Sequence, residues 1–190
     1  WFSAESLEKI MGLSEGVTET IGREWLARAG KRWRPFLSTA AFQALRPDTD
    51  EAIPENLKKI AIAVECFHKA SLIHDDIEDE DIERYGKKTL HEEHSVAIAL
   101  NVGDLLIGEG YRLIAETSAS DAQITAMTKV AAEGQRHLCR GQGAELIWQK
   151  NPEPLKSREV LEIFRQKTAP AFEVALRLGS ICADLEAYNE

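Results

Sequence analysis

The sequence predicts an all-α protein built from long helices. Apolar residues recur at spacings of three and four along most of the chain, which is the period of an amphipathic helix. Ser120-Asp121-Ala122-Gln123 has the pattern of a capping box, in which serine and glutamine side chains satisfy backbone groups at a helix start. No segment shows sustained alternation of apolar and polar residues, and no hairpin dipeptide separates two apolar runs. These observations favour helices throughout.

Glycine and proline divide the chain into its helical segments. Leu7 to Leu26 carries apolar residues at helical spacing until Gly30 interrupts the pattern. A second helix over 33–45 is expected to end at Arg46-Pro47-Asp48, because proline cannot continue a helix. A third helix starts near Pro54, a residue suited to the first turn. The remaining predicted segments are a charged loop or irregular connection over 80–93, a helix from Ser95 to Thr117, a helix from Ser120 to about Lys150, and a last helix that Ser157 caps and that runs past Leu178.

Length and composition indicate one ordinary domain of a soluble protein. The chain has 190 residues, of which 44% are hydrophobic, and that is enough for a sizeable core. The net charge of −9 argues against nucleic-acid binding, which usually needs a basic surface. Three cysteines, odd in number and far apart, indicate reduced thiols of a cytoplasmic protein. No apolar run reaches membrane-span length. The chain lacks an initiator methionine, and we expect it to be a piece of a longer protein.

An acidic run follows the third predicted helix. At about 100° per residue, Asp79 lies roughly 40° and Asp76 roughly 100° around the helix from Asp75. Three carboxylates in one turn repel each other, and a divalent cation would offset that repulsion. Mg²⁺ typically takes one or two carboxylates, keeps several waters and bridges to substrate phosphates. A solvated helix end is the alternative interpretation of the acidic run taken alone.

Basic residues form further groups that suit phosphate. We call Gly30-Lys31-Arg32-Trp33-Arg34-Pro35 the basic loop; it places three cations at a predicted helix start, where backbone donors also favour anions. His68 lies seven residues before the acidic run, on the same helix face. Additional basic positions are Arg84, Lys87, Lys88 and Lys167, the last of these followed by Thr168. Taken alone, the basic loop and the group at Arg84 are equally typical of an ordinary surface. His68 alone is more typical of a structural histidine, and Lys167 alone is more typical of a surface lysine. Together they indicate a metal site with two anionic substrates or one very large one.

The chain resembles the trans-isoprenyl diphosphate synthases, or polyprenyl synthetases. The resemblance spans most of the sequence, in order and with suitable gaps. It is carried by the basic loop, by His68-Lys69-Ala70-Ser71-Leu72-Ile73-His74-Asp75-Asp76-Ile77-Glu78-Asp79, by Arg84 and Gly86-Lys87-Lys88-Thr89-Leu90-His91, and by Gly103-Asp104-Leu105-Leu106, Gly141-Gln142 and Lys167-Thr168.

The resemblance implies an isoprenoid-synthase-type helical bundle around a central cavity, of which residues 1–190 would form the N-terminal and central part. In that family an allylic diphosphate ionises, isopentenyl diphosphate attacks the carbocation, and a proton is lost. Carried over by position, the implied Mg²⁺ ligands are Asp75, Asp76 and Asp79, the implied contacts of the allylic diphosphate are Arg84, Lys167 and Thr168, and the implied contacts of isopentenyl diphosphate are Lys31, Arg34 and His68. The family also implies a homodimer.

Three departures from the family pattern affect this assignment. The family has a second Asp-rich motif beyond the Lys-Thr pair, and these 190 residues do not include it, so we expect them to be inactive on their own. Tyr85 stands where the family usually has a second arginine, a contact to isopentenyl diphosphate, and Lys87 or Lys88 would then have to compensate. Lys69 replaces a small polar residue, and Lys88 replaces a proline.

The length of the product depends on the side chains beneath the acidic run. Ser71 lies one turn below Asp75 and Phe67 one turn deeper, so we expect Phe67 to form the floor of the cavity. A product of C15 to C20 or longer follows from this geometry.

Two other functions remain open. A non-catalytic or regulatory subunit of the same fold is favoured by Tyr85 and disfavoured by the intact acidic run. A class I terpene cyclase shares the Asp-rich motif but handles one diphosphate, so the second basic group argues against it.

Overall fold

The computed structural model describes residues 1–28, 30–46 and 53–189 and confirms the all-α prediction. Its elements in chain order are α1 (Ala4–Met11), α2 (Val17–Ala27), α3 (Trp33–Leu45), α4 (Glu55–Glu78), β1 (Glu83–Arg84), β2 (Lys87–Lys88), α5 (Leu90–Glu93), α6 (Val96–Ala115), α7 (Asp121–Lys150), α8 (Ser157–Ala183) and α9 (Leu185–Asn189). The chain divides into two compact units, Trp1–Phe36 with Asp50–Ser118 and Leu37–Thr49 with Ala119–Glu190. A single domain over the whole chain therefore remains a prediction.

In the first unit, α4 packs against α6 around aliphatic side chains. The fully buried residues include Leu57, Ile60, Ile73, Leu106 and Leu113. Two glycines of α6 make room for two rings of α4, since a Cβ on Gly103 would lie 2.4 Å from His74 Nε2 and a Cβ on Gly110 would lie 2.5 Å from Phe67 Cε1. The two rings are seven residues apart on α4, and the two glycines are seven residues apart on α6. The earlier ring, Phe67, contacts the later glycine, Gly110. The two helices are therefore antiparallel, with rings seated in glycine notches.

In the second unit, α7 and α8 approach each other closely. A Cβ on Gly134 would lie 2.2 Å from Val174 Cγ2, and a Cβ on Gly141 would lie 2.7 Å from the backbone nitrogen of Lys167. The end of α3 joins this unit, where a Cβ on Gly179 would lie 2.1 Å from the carbonyl oxygen of Ser38. Glycine at these positions therefore sets the helix spacing.

Several element boundaries match the sequence-based predictions. The helix predicted over 33–45 is α3, and Ser120 caps α7 through a capping box with Gln123. Pro54 is the N-cap of α4, and Ser95 caps α6 by accepting a hydrogen bond from the backbone of Ile98. The predicted stop at Pro47 and Asp48 lies outside the described residues.

Three predictions of secondary structure are wrong. The first apolar stretch forms two helices, because Gly12 adopts a left-handed φ of 86° and ends α1. The segment 80–93 is an ordered hairpin followed by α5, in which Tyr85 and Gly86 form the turn with φ of 55° and 74°. Such a turn normally carries Asn or Gly at its first position, so Tyr85 hid it from sequence inspection. The N-cap of α8 is Lys156, one residue before the predicted Ser157.

Candidate active site

The acidic run lies at the C-terminal end of α4. Asp75 and Asp76 belong to its last turn, and Asp79 follows as the C-cap residue, donating its backbone N–H to the Asp75 carbonyl oxygen at 2.8 Å. The three side chains differ in burial: Asp75 is half-buried, Asp79 is exposed and Asp76 is fully buried. The run therefore offers two accessible carboxylates and one inward carboxylate.

The inward carboxylate pairs with the hairpin. Arg84 on β1 donates a hydrogen bond from Nε to Oδ1 of Asp76, while the Oδ2 atom of Asp76 is buried with no hydrogen-bond partner in the described part of the chain. Arg84 also lies 3.5 Å from the carboxylate of Asp81. Burial raises the pKa of the Asp76 carboxyl, and the hydrogen bond and charge of Arg84 oppose that rise. Asp76 thus joins α4 to the hairpin.

The carboxylate oxygens of the acidic run suit a Mg²⁺ ion that also binds the phosphates of a substrate. Asp75 and Asp79 offer hard oxygen ligands on successive turns, and the buried Oδ2 of Asp76 is an acceptor still lacking a partner. Among residues 1–28, 30–46 and 53–189, no three His, Cys, Asp or Glu side chains form a metal centre by themselves. Mg²⁺ commonly takes one or two protein carboxylates and completes its coordination with water and phosphate. The metal assignment itself stays a prediction.

Arg34 and His68, two of the predicted contacts of isopentenyl diphosphate, lie next to each other in the first unit. Arg34 Nη1 lies 3.1 Å from His68 Nε2. A guanidinium only donates hydrogen bonds, so Nε2 of His68 must accept and the ring carries its proton on Nδ1. Burial, together with the nearby charges of Arg34 and Lys69, lowers the pKa of His68 to about 3. His68 is therefore a neutral imidazole at physiological pH.

Lys31 and Arg32, the other two cations of the basic loop, differ in their exposure to solvent. Lys31 is exposed, whereas Arg32 turns inward and pairs with Glu65, a buried carboxylate of α4. Arg32 also donates to the carbonyl oxygens of Leu26 at 2.9 Å and Arg28 at 2.7 Å, just past the end of α2. Burial raises the pKa of Glu65, and Arg32 opposes that rise. Arg32 thus has a structural role in holding the loop.

Two of the departures from the family pattern lie in contact. Lys69 of α4 is fully buried, and its Nζ lies 4.9 Å from the centroid of the Tyr85 ring. The ring of Trp25 flanks the same ammonium at 5.5 Å, and Trp25 donates from Nε1 to the Lys69 carbonyl oxygen at 3.0 Å. Nothing in the sequence placed Lys69 beside Tyr85, since sixteen residues and a helix end separate them.

Lys167 and Thr168 lie on α8, in the second unit. Lys167 forms an ion pair with Glu145 on α7, next to the close helix contact at Gly141, while Thr168 is exposed. Sequence inspection missed Glu145 as a partner because its distance from Lys167 along the chain gives no local signal. The roles of Lys167 and Thr168 at the allylic diphosphate stay predictions.

The described helices contain no membrane span: none combines sufficient length with sufficient apolar character.

The fold defines a class of α-helical proteins, and in this chain one compact unit carries both the acidic run and the basic loop. A family model described as polyprenyl synthetase matches residues 16–190. The chain belongs to the polyprenyl synthetase family.

Curated relatives support this membership. A short chain isoprenyl diphosphate synthase of Methanocaldococcus jannaschii is 30% identical over 159 residues, which cover 84% of this chain and 46% of the relative. Geranylgeranyl pyrophosphate synthase 7, a chloroplastic protein of Arabidopsis thaliana, is 36% identical over 185 residues, which cover 93% of this chain and 52% of the relative. The chain thus spans about half the length of the curated relatives it matches.

Solved structures share the fold. A geranylgeranyl pyrophosphate synthetase of Pyrococcus horikoshii aligns with a TM-score of 0.83 at 28% identity, over 97% of this chain and 55% of that one. A geranyltransferase of Helicobacter pylori, crystallised with magnesium and isoprenyl diphosphate, aligns with a TM-score of 0.84 at 25% identity, over 97% of this chain and 65% of that one. The predicted fold class is confirmed.

Proposed function

We propose that the protein containing this chain is a Mg²⁺-dependent trans-prenyltransferase. It would condense isopentenyl diphosphate with an allylic diphosphate to make a trans-polyprenyl diphosphate of C15 to C20 or longer. The observation that carries the proposal is the pairing of Arg34 with neutral His68 on α4, the helix whose last turn carries Asp75. Seven residues separate His68 from Asp75, about 10 Å along the helix axis. An anion-binding pair and a metal-binding carboxylate at that separation suit two diphosphates.

Arg34, His68 and Lys31 would hold isopentenyl diphosphate. Arg34 supplies a planar fork of donors, and Lys31 is exposed and able to reach a phosphate as a point charge. Because Nε2 of His68 accepts from Arg34, the Nδ1 proton is left to be donated. Binding both substrates on one scaffold removes much of the entropic cost of a bimolecular step.

Asp75 and Asp79 would hold Mg²⁺ at the allylic diphosphate. For Lys167 and Thr168, a role in binding the allylic diphosphate rests on the family resemblance alone. When bound, Mg²⁺ neutralises the charge that develops on the leaving diphosphate. The carbon–oxygen bond of the allylic diphosphate breaks with its electron pair on the diphosphate, the double bond of isopentenyl diphosphate attacks the carbocation, and a proton is lost. Arg84 would contribute while bound to Asp76, which orients its guanidinium beside the acidic run.

A cytoplasmic homodimer is the state we propose for this protein. The homodimer rests on the family resemblance and on exposed apolar side chains at the start of α6, namely Val96, Ile98 and Leu100, which a second copy would cover. The cytoplasm is supported by three cysteines that are all free thiols.

Incubation of the full-length protein with labelled isopentenyl diphosphate and a series of allylic diphosphates tests the reaction. We expect elongated prenyl diphosphates that disappear with EDTA and in Asp75→Asn. A cyclic hydrocarbon would instead identify a class I terpene cyclase. The absence of any product without a second protein would identify a non-catalytic subunit, the alternative that Tyr85 favours.

A further inference from the structure

Tyr85 and Lys69 are two departures from the family pattern that form one structural pair. The ammonium of Lys69 lies under the Tyr85 ring, 4.9 Å from its centroid, and donates a hydrogen bond to the Arg28 carbonyl oxygen at 3.2 Å. Lys69 is fully buried, whereas 49% of Tyr85 is exposed. The ammonium end of the pair is therefore covered by the protein, while about half of the tyrosine is open to solvent.

The tyrosine hydroxyl lies beside the basic loop. A Cβ built on Gly30 would meet Oη of Tyr85 and Nζ of Lys69, each at 3.9 Å. The hydroxyl consequently borders the same loop that carries Lys31 and Arg34.

The surroundings of Lys69 carry more positive than negative charge. Arg28, Arg32 and Arg84 are close enough to lower its pKa, and Glu65 is the carboxylate that opposes them. Burial is the largest cause of that lowering, and the pKa of Lys69 is about 8. The ammonium is therefore still charged at neutral pH, and an incoming anion would stabilise it.

The backbone at Tyr85 is held in an unfavourable conformation. Its φ is 55°, a value that a bulky side chain seldom adopts and that Asn or Gly would accept more easily. A cation–π contact with a buried ammonium stabilises the ring in this position. The conformation thus places the hydroxyl at the loop.

We propose that Tyr85 and Lys69 together replace an arginine at the isopentenyl diphosphate site. The Tyr85 hydroxyl donates a hydrogen bond to the diphosphate, and Lys69 supplies the positive charge from beneath the ring. Lys69 is fully covered, so it acts through Tyr85 as a positioning residue rather than by touching the substrate. This inference rests on the proposed function.

Binding of isopentenyl diphosphate to the full-length protein, measured by calorimetry, tests the pair. Tyr85→Phe keeps the ring and removes the hydroxyl, and we expect it to weaken binding about tenfold, the usual effect of losing a hydrogen bond to a charged group. Lys69→Met should weaken binding to a similar extent. The double variant, Tyr85→Phe with Lys69→Met, should bind as tightly as the single variant with the lower affinity. Lys9→Met, an exposed charge removal on α1, is the control and should bind as the wild type does.

Exchanging the charge between the two positions gives the sharper result. Tyr85→Arg alone should not tighten binding, because a second cation would then face Lys69. In the Lys69→Met background, Tyr85→Arg should restore binding to within about threefold of the wild type. If Tyr85 were only a weaker substrate contact than arginine and Lys69 had no role, the result would be the opposite. Tyr85→Arg would then tighten binding with Lys69 in place.

The outcomes separate this inference from the proposed function. Unchanged affinity in both Tyr85→Phe and Lys69→Met would overturn the inference while leaving the prenyltransferase intact. Weaker binding in Lys87→Met with no change in Tyr85→Phe would also overturn it and assign the missing contact to Lys87. A wild-type protein that binds no isopentenyl diphosphate would overturn both. The KM for the allylic diphosphate should stay constant throughout, and a parallel rise in that KM would indicate general distortion and contradict the inference.

Discussion

The ring of Phe67 on α4 lies against Gly110 on α6, where any Cβ would meet Phe67 Cε1 at 2.5 Å. Tyr111 packs edge-on against the same ring with the two centroids 5.0 Å apart. The ring is therefore held from two sides, and its place two turns below Asp75 depends on a glycine of the neighbouring helix. A side chain fixed in this way is suited to limit the length of a prenyl chain.

We predict that Phe67→Ala in the full-length enzyme yields longer products. Removal of the ring opens the notch at Gly110, and a growing chain could extend into that space. Chromatography of the dephosphorylated products measures the change. Phe67→Leu, which keeps much of the volume, is the matched control and should shift the profile much less. An unchanged profile in Phe67→Ala would exclude Phe67 as the floor.

His68 makes the stability of the protein depend on pH in a definite direction. Its pKa in the folded chain is about 3, below the ordinary value of 6.5, so the unfolded chain takes up a proton first as the pH falls. The folded state should therefore lose stability between pH 6.5 and pH 3. We predict that the wild type loses about 2 kcal/mol more than His68→Gln between pH 6.5 and 4.5.

Urea unfolding at several pH values measures that difference. Glutamine retains an acceptor for Arg34 but does not titrate, so the comparison isolates one protonation event. His137→Gln, on the exposed face of α7, is the control and should follow the wild type. Parallel curves for the wild type and His68→Gln would show that His68 titrates normally.

The acidic run should separate into residues that bind metal and one that holds the hairpin. Asp76→Asn leaves Arg84 without its buried partner, and we predict a loss of about 1–3 kcal/mol in the free energy of unfolding. Asp79→Asn changes an exposed side chain and should cost less than about 0.5 kcal/mol. The affinity for Mg²⁺ in the presence of an allylic diphosphate should fall about tenfold or more in Asp79→Asn, as expected for a lost carboxylate ligand.

Chemical denaturation and a Mg²⁺ titration on the same two variants provide the measurement. If Asp76→Asn weakened Mg²⁺ binding as much as Asp79→Asn and left stability unchanged, then all three carboxylates would act as ligands, as the sequence alone predicted.

Two glycines of α7 provide a matched pair for testing helix packing. Gly141→Ala would place a methyl group 2.7 Å from the backbone of α8 at Gln166 and Lys167, and we predict a loss of about 1–3 kcal/mol from overpacking. Gly143 has nothing within 4 Å of its Cβ position, so Gly143→Ala should stabilise the helix by about 0.5–1 kcal/mol. Denaturant midpoints should move in opposite directions. A stable Gly141→Ala variant would mean that α8 can move away from α7.

Most helix positions followed from local sequence signals. The capping residues Ser95 and Ser120 and the residue Pro54 act within one turn, so their effects could be predicted directly. The family pattern named Arg34 and His68 as contacts of one substrate, and the structure shows them 3.1 Å apart, a contact that the sequence did not predict.

The interactions that were missed join residues distant along the chain. The packing of the helices and the hairpin determines these contacts, and the periodicity of the sequence carries no information about that packing. The pairs are Arg32 with Glu65, Asp76 with Arg84, and Lys69 with Tyr85. The hairpin was missed for a local reason, because its turn begins with tyrosine in a left-handed conformation. Two charged residues, Glu65 and Lys69, interrupt the apolar run of α4. This feature of the sequence could have predicted buried polar contacts there.

The pairing of Arg32 with Glu65 has a consequence for the thermodynamics of substrate capture. Arg32 joins the basic loop to α4 and to the carbonyl groups at the end of α2, so the backbone that carries Lys31 and Arg34 is ordered before any ligand arrives. The conformational entropy of that segment is then lost during folding instead of during binding. The heat capacity change on binding a diphosphate to this loop should therefore be small, because no segment folds on binding. Binding should also occur in a single fast step.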